Sequence, residues 1–290
     1  MRGWRYRCAE VLVGLKQMIV HLDQTLDTDV TDLLRDYRDL TDVALRTRSE
    51  IDRGIFIAEG FEVISRAAQA GYQFRSVLCE EKWLNTVTPW VSPATPVLIA
   101  SKEMLEDISG FNIHRGALAA MLRRELPTPE AVLAKANRVV LLEGLVNHTN
   151  VGAIVRSAAA FGFDALLVDQ FCADPLYRRA IRTSMGTIFS LPWTRLPDWP
   201  ASARIIRDSG LAIVALTPDA SAKSVSEIVL PSRFVLVLGT EGDGLRPGTS
   251  DTADLLLRIP MKEGIDSLNV AAAAAVAMYA LTTSEEFKRR

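Results

Sequence analysis

Three short stretches of this chain carry side chains able to do chemistry. In the first, Asn150 and Arg156 stand six residues apart, behind Asn147 and His148. A guanidinium presents a planar fork of donors that can grip a phosphate or stabilise a developing oxyanion. It serves equally well as a solvated surface charge. His148 is a candidate general base or an ordinary loop histidine. In the second stretch, Gly239, Gly242 and Gly244 surround Glu241. Such glycines either let backbone approach a ligand closely, with Glu241 as the charge deep in the loop, or simply make a turn. In the third, Gly264, Asp266, Ser267 and Asn269 precede an alanine-rich run. A helix starting at Asp266 or Ser267 exposes unpaired N–H groups that can hold a polar ligand without a dedicated charge. A cap that only caps is the other reading.

Some chemistries are excluded. The glycine spacing is not the Gly-x-Gly-x-x-Gly of a dinucleotide site, and no Gly-Lys-Ser/Thr end makes it a P-loop. Cys8, Cys79 and Cys172 are widely spaced with no Cys-x-x-Cys pair. That usage fits a reduced, cytoplasmic protein with no structural zinc, and no metal site is expected.

The frame that must position these loops is legible as apolar runs. Val139–Leu142, Ala165–Val168, Ile213–Leu216, Phe234–Leu238 and Leu255–Ile259 alternate with helical stretches. Continuous apolar strands of this kind predict a parallel sheet covered on both faces. Ligands of such sheets sit beyond the carboxyl ends of the strands, which singles out the loops after Leu142, Leu216, Leu238 and Ile259. A helix from Val151 or Gly152 to Phe161 would carry Asn150 at its start and Arg156 nearly two turns on. The C-terminal helix is small or apolar on every face from Val270 to Ala280, so it should be enclosed.

Upstream the same alternation gives a smaller α/β domain. A helical period covers 29–48, followed by a strand at Phe56–Ala58 and a helix at Phe61–Ala70. A strand at Arg75–Cys79 and a short helix at Glu80–Leu84 come next. A strand at Val97–Ala100, a helix capped by Ser101 and a strand at Ala117–Leu122 complete it. The expected divisions are an N-terminal extension, helical or disordered, over 1–28, a first domain over 29–126, a linker over 127–136 with a helical Glu130–Ala136, and a second domain over 137–290.

Charge sets a further bound. Of the 290 residues, 33 are Lys or Arg and 35 Asp or Glu, for a formal net charge of −2. Residues 1–135 hold 17 basic against 19 acidic side chains, and residues 136–290 hold 16 against 16. No global field attracts nucleic acid, so any RNA contact needs a local patch, the best being Arg178, Arg179 and Arg182. A structural role for that patch in a dimer is the alternative. No uncharged apolar run approaches the ~20 residues of a membrane span. Glu10 and Lys16 interrupt the apolar patch behind Arg2, Arg5 and Arg7, so it is not read as a secretory leader.

Taken together the three stretches resemble the motifs of one family. Asn150, Gly152, Ile154 and Arg156 follow Asn-x-Gly-x-Ile-x-Arg. Leu238, Gly239, Glu241, Gly242 and Gly244 follow Leu-Gly-x-Glu-Gly-x-Gly. Ile259, Pro260 and Met261, then Ser267 to Val270, follow Ile-Pro-Met and Ser-Leu-Asn-Val. Arg182, Ser184, Met185 and Gly186 look like its Arg-x-Ser-Met-Gly segment. With order and intervals kept over 137–290, the chain resembles the SpoU/TrmH branch of the SPOUT RNA 2′-O-ribose methyltransferases. Where that family often has Asp-Pro before the first motif, this chain has Asn147, His148 and Thr149.

The resemblance implies an α/β, parallel-sheet SPOUT domain with a C-terminal trefoil knot, an exception to the rule against knots. It implies a homodimer that holds S-adenosylmethionine and methylates a ribose of rRNA or tRNA. The catalytic set would be Arg156, Asn150, Glu241, Ser267 and Asn269. The cofactor would meet the backbone of Gly239, Ile259 and Leu268, with Thr217 and Gly242 nearby. Arg178, Arg179, Arg182 and Ser184 would meet substrate. The first domain resembles the family's RNA-binding module, itself similar to a small ribosomal protein. Arg156 could act as a base in a desolvated pocket, or as a donor to the developing alkoxide and a neighbouring phosphate. The second is physically easier, because a guanidinium has a pKa above about 12. A non-catalytic RNA-binding or assembly factor on the same fold is the rival from another class.

Overall fold

The structure is a computed structural model, and it describes residues 17–22, 28–41, 49–111, 116–228, 230–240, 244–265 and 267–286. It divides into two compact units. The first ends at Arg124 and takes in Leu176–Arg178; the second comprises Glu125–Pro175 and the residues from Arg179 onward.

The first unit contains β1 (Ile19–His21), α1 (Thr28–Arg35), β2 (Ile55–Glu59), α2 (Phe61–Gln69), β3 (Phe74–Cys79), α3 (Leu84–Val87), β4 (Val97–Ile99), α4 (Lys102–Ser109) and β5 (Ala117–Leu122). Its five strands lie in the order β1-β4-β3-β5-β2, with β5 antiparallel to both neighbours. Leu34, Tyr37, Ile57, Leu78, Leu98 and Leu118 form its core. Ser101 caps α4 by accepting from the N–H of Met104 at 3.2 Å. Two expectations change here. Ile19–His21 pairs in parallel with Val97–Ile99, so part of the expected extension is a sheet strand. The helical period expected over 29–48 ends at Arg35, and residues 42–48 lie outside the described residues.

The second unit contains α5 (Pro129–Leu133), β6 (Arg138–Leu142), α6 (His148–Ala160), β7 (Ala165–Asp169), α7 (Arg178–Thr183), β8 (Trp193–Leu196), α8 (Ala203–Asp208), β9 (Ala212–Leu216), β10 (Lys223–Ser224), β11 (Phe234–Leu238), α9 (Pro247–Thr252), β12 (Leu255–Arg258) and α10 (Val270–Glu286), with Arg178 clustering in the first unit. Its seven strands run in the order β10-β12-β9-β11-β6-β7-β8, and every pair is parallel. Every residue of β7 and β11 is buried, as a sheet covered on both faces requires. The expected linker helix is shorter, and its Val132 and Leu133 sit in this unit's core with Trp199 and Val235.

The register matters for function. Leu238 pairs with both Leu142 and Leu216, and Leu257 pairs with Leu216. The carboxyl ends of β12, β9 and β11 therefore line up side by side, and the three segments leaving them share one edge. Among the described residues, no helix is long and apolar enough to cross a membrane.

The C-terminal helix is only partly enclosed within the single chain. Ala274, Ala277, Met278 and Leu281 are buried, but Val276 is 44% and Tyr279 58% exposed. One face of α10 is thus uncovered in the single chain, although all its residues there are small or apolar.

Candidate functional site

A cavity of about 330 Å³ opens where those three segments meet. Leu216, Thr217 and Pro218 come from the end of β9, and Leu238, Gly239, Thr240 and Gly244 from the end of β11. Ile259, Met261, Ser267, Leu268, Asn269, Val270 and Ala273 come from the segment after β12 and the start of α10. The walls are mainly apolar, with hydroxyl, amide and backbone groups between them, the usual make-up of a small-molecule site.

Gly239 is there for space. A Cβ on it would stand 2.4 Å from the Gly244 carbonyl oxygen and 2.7 Å from the Leu245 nitrogen. The segment closes on itself at that point, the N–H of Thr240 donating to the Gly244 carbonyl at 2.9 Å. Gly152 has a different purpose. A Cβ there would lie 2.4 Å from the Ala180 carbonyl oxygen and 2.8 Å from the Thr183 Cβ, so this motif glycine lets α6 and α7 touch.

Two expected caps move. Asn147, not Asn150, caps α6, its Oδ1 accepting from the N–H of Thr149 at 2.9 Å and of Asn150 at 3.4 Å, so the helix begins at His148. Asn269 caps α10, accepting from Ala271 and Ala272 at 3.0 and 3.3 Å, past the expected start at Asp266 or Ser267. Asp266 lies outside the described residues, and Ser267 sits on the cavity wall. Asn150, 7% exposed, is then free of capping duty and its Oδ1 accepts from Asn269 Nδ2 at 3.3 Å. This contact ties α6 to the cavity wall.

Of the residues named from sequence, Thr217, Gly239, Ile259, Ser267, Leu268 and Asn269 line the cavity, and Asn150 is bonded to it. Glu241 and Gly242 lie outside the described residues. Arg156 is exposed on α6 and does not line the cavity of its own chain.

The residues of the expected substrate patch have different surroundings. Arg178 pairs with Glu59 at 2.6 Å, donates to the Leu40 carbonyl at 3.2 Å and lies over the Phe111 ring, so its charge is committed within the first unit. Ser184 is fully buried and its hydroxyl donates to the Ile181 carbonyl at 2.9 Å, which satisfies it inside the fold. Arg179 and Arg182 remain exposed.

His148 is half-buried at the start of α6 and is not part of the cavity wall. Burial holds its imidazole below the ordinary value of 6.5, with Asp174 opposing that shift and Arg179 adding to it. A histidine whose pKa is lower folded than unfolded favours the native state above its unfolded pKa, and that contribution is lost as pH falls through the folded value. His148→Gln should therefore flatten the loss of stability between about pH 7 and pH 5 relative to wild type. Urea midpoints of the two proteins across that range check it.

The wall residues Pro218 and Ala273 carry no sequence signal of their own, Ala273 looking like any core residue. Sequence reading also passed over Glu143 and Asp169, both fully buried. The available signal was a carboxylate at the end of an otherwise apolar strand run.

Comparison with known proteins gives the family and the fold. Residues 137–279 match the SpoU rRNA Methylase family. An uncharacterized tRNA/rRNA methyltransferase of Mycobacterium bovis is 36% identical over 255 residues, covering 87% of this chain and 88% of that one. The 23S rRNA (guanosine-2′-O-)-methyltransferase RlmB of Salmonella typhi is 27% identical over 205 residues, covering 69% and 84%. An AdoMet-bound rRNA methyltransferase from Sinorhizobium meliloti superposes with a TM-score of 0.78 at 21% identity, covering 92% and 98%. With residues 137–279 matched by the family model and a relative 36% identical over 87% of its length, the chain belongs to the SpoU rRNA Methylase family of RNA methyltransferases.

Proposed function

We propose that this protein transfers a methyl group from S-adenosylmethionine to a ribose 2′-hydroxyl of structured RNA, rRNA before tRNA, and that it works as a homodimer. The observation that carries the reading is the cavity at the carboxyl ends of β9, β11 and β12, built from the segments that hold the second and third motifs. The Salmonella typhi relative, named as a 23S rRNA guanosine-2′-O-methyltransferase, supports both the ribose and the rRNA.

The residues fit the cofactor. Leu216, Leu238, Ile259 and Val270 offer apolar walls for a flat base, and Thr217, Ser267 and Asn269 offer hydrogen-bonding groups beside them. Bound there, S-adenosylmethionine supplies a methyl group on a positively charged sulfur. Gly239 admits close backbone contact because it has no Cβ. Asn150 and Asn269 hold the first turn of α6 against that wall. Arg156, farther along α6, donates to the alkoxide as it develops and to an adjacent phosphate. Glu241 belongs to this set by motif alone.

A second subunit gives the exposed residues their purpose. Val276 and Tyr279 leave an apolar face on α10, and Arg156 is exposed and does not line the cavity of its own chain. Pairing two copies through this region would cover the first and bring the second to a partner's cavity. The knot belongs to the same proposal: β12 inserts between β9 and β10 before the chain runs on into α10.

Purified protein supplied with methyl-labelled S-adenosylmethionine should label rRNA from cells lacking it, and rRNA from wild-type cells far less. Cofactor binding with no transfer to rRNA or tRNA would leave the non-catalytic binding factor in its place.

A further inference from the structure

The segment after β11 that walls the cavity is held from outside the cavity by a buried polar cluster. Glu143, the first residue past β6, accepts from Trp199 Nε1 at 2.7 Å, from the backbone N–H of Arg246 at 2.7 Å and from the Thr249 hydroxyl. The Arg246 guanidinium pairs with Asp169, donates to the Trp199 carbonyl at 3.3 Å and lies over the Phe171 ring. Asp169 also accepts from the N–H groups of Gly144, Phe171 and Cys172 at 3.0, 3.1 and 2.9 Å. Glu143, Asp169 and Thr249 are all fully buried.

Buried carboxylates cost stability unless every lone pair is met, and apolar side chains of similar size would hold a core at least as well. What directional bonds add is a fixed place for the groups that donate them. Here the principal donor is Arg246, two residues beyond Gly244. Gly244 lines the cavity and is closed onto Thr240, another wall residue. Gly144 presses on the same wall from below: a Cβ there would stand 2.7 Å from Thr240 Cγ2. None of Glu143, Asp169, Arg246 or Thr249 lines the cavity itself.

We propose that Glu143, acting with Thr249 and Arg246, is a positioning residue that sets cofactor affinity by fixing where Thr240 and Gly244 stand. This rests on the reading that the cavity takes S-adenosylmethionine.

Thr249→Val, Thr249→Ser and Glu143→Gln test it by calorimetry with S-adenosylhomocysteine and by methyl-transfer kinetics. Thr249→Val keeps the shape and removes the donor to a carboxylate. It should raise the Kd and the KM for the cofactor about tenfold, with kcat at saturation within about twofold. Thr249→Ser, which keeps the hydroxyl, should behave as wild type. Glu143→Gln turns an amide N–H toward groups that are themselves donors and should weaken binding further. If that variant does not fold, the threonine pair decides. Wild-type Kd and KM in Thr249→Val would overturn the proposal, even if its melting temperature fell. Failure of the wild-type protein to bind would instead overturn the cofactor reading, and this proposal with it.

Discussion

Replacing Arg156 by alanine should lower kcat by about a hundredfold or more at saturating cofactor, while the cofactor Kd stays within about twofold. The two halves of that expectation have separate grounds. Arg156 does not line the cavity of its own chain, so binding there has no direct use for it. In the proposed pair its exposed side chain is brought to the partner's cavity, where charge develops on the ribose oxygen. A loss of stabilisation for charge that develops only in the transition state lowers turnover, not affinity. Arg156→Lys should fail to restore activity, since an ammonium cannot present two parallel donors to a phosphate and an oxyanion. Parallel loss of binding and turnover in Arg156→Ala would instead mean that the side chain supports the cavity.

Gly239→Ala should do the reverse and weaken cofactor binding by more than about tenfold. The added carbon would meet Gly244 oxygen at 2.4 Å, Gly244 carbon at 2.5 Å and Leu245 nitrogen at 2.7 Å. All three are backbone atoms, so no rotamer change relieves the contact, and the segment carrying Thr240 and Gly244 must shift. Both residues line the cavity. Calorimetry with S-adenosylhomocysteine reads the loss, and a melting temperature lowered by only a few degrees separates it from unfolding. Unchanged affinity in a folded Gly239→Ala protein would show that the wall is not where the cofactor sits.

The parts of this fold that the sequence shows are those whose signal is local. Phe234–Leu238 and Ala117–Leu122 were expected to the residue, because continuous apolar runs of five or six residues between turn signals have few other uses. Trp193–Leu196 was missed because a charged and a hydroxyl residue break its pattern at the sheet edge. Lys223–Ser224 is too short to leave a periodic trace, and Ile19–His21 is defined by a distant partner strand. Helix α6 starts early because Asn147 competes successfully with Asn150 for the cap.

The site divides in the same way. Gly239 could be singled out because the effect of a glycine is local, and Asn269 because it falls in the third motif, although the cap was expected at Asp266 or Ser267. Gly152 has the right residue type for a different reason, contact between two helices. The fates of Arg178 and Ser184 depend on Glu59 and on a neighbouring turn, which spacing does not reveal. Neither does spacing show that the Glu143 carboxylate would meet Arg246, 103 residues later. Enclosure of α10 was expected from its composition, and the exposed Val276 and Tyr279 move that enclosure from the single chain to the proposed pair.

Alkaline hydrolysis of RNA methylated by the purified protein locates the transferred group directly. A methyl on a ribose 2′-oxygen removes the hydroxyl that attacks the neighbouring phosphate, so label should appear in alkali-resistant dinucleotides and vanish with Arg156→Ala. Label confined to mononucleotides bearing a methylated base would contradict ribose methylation at this site.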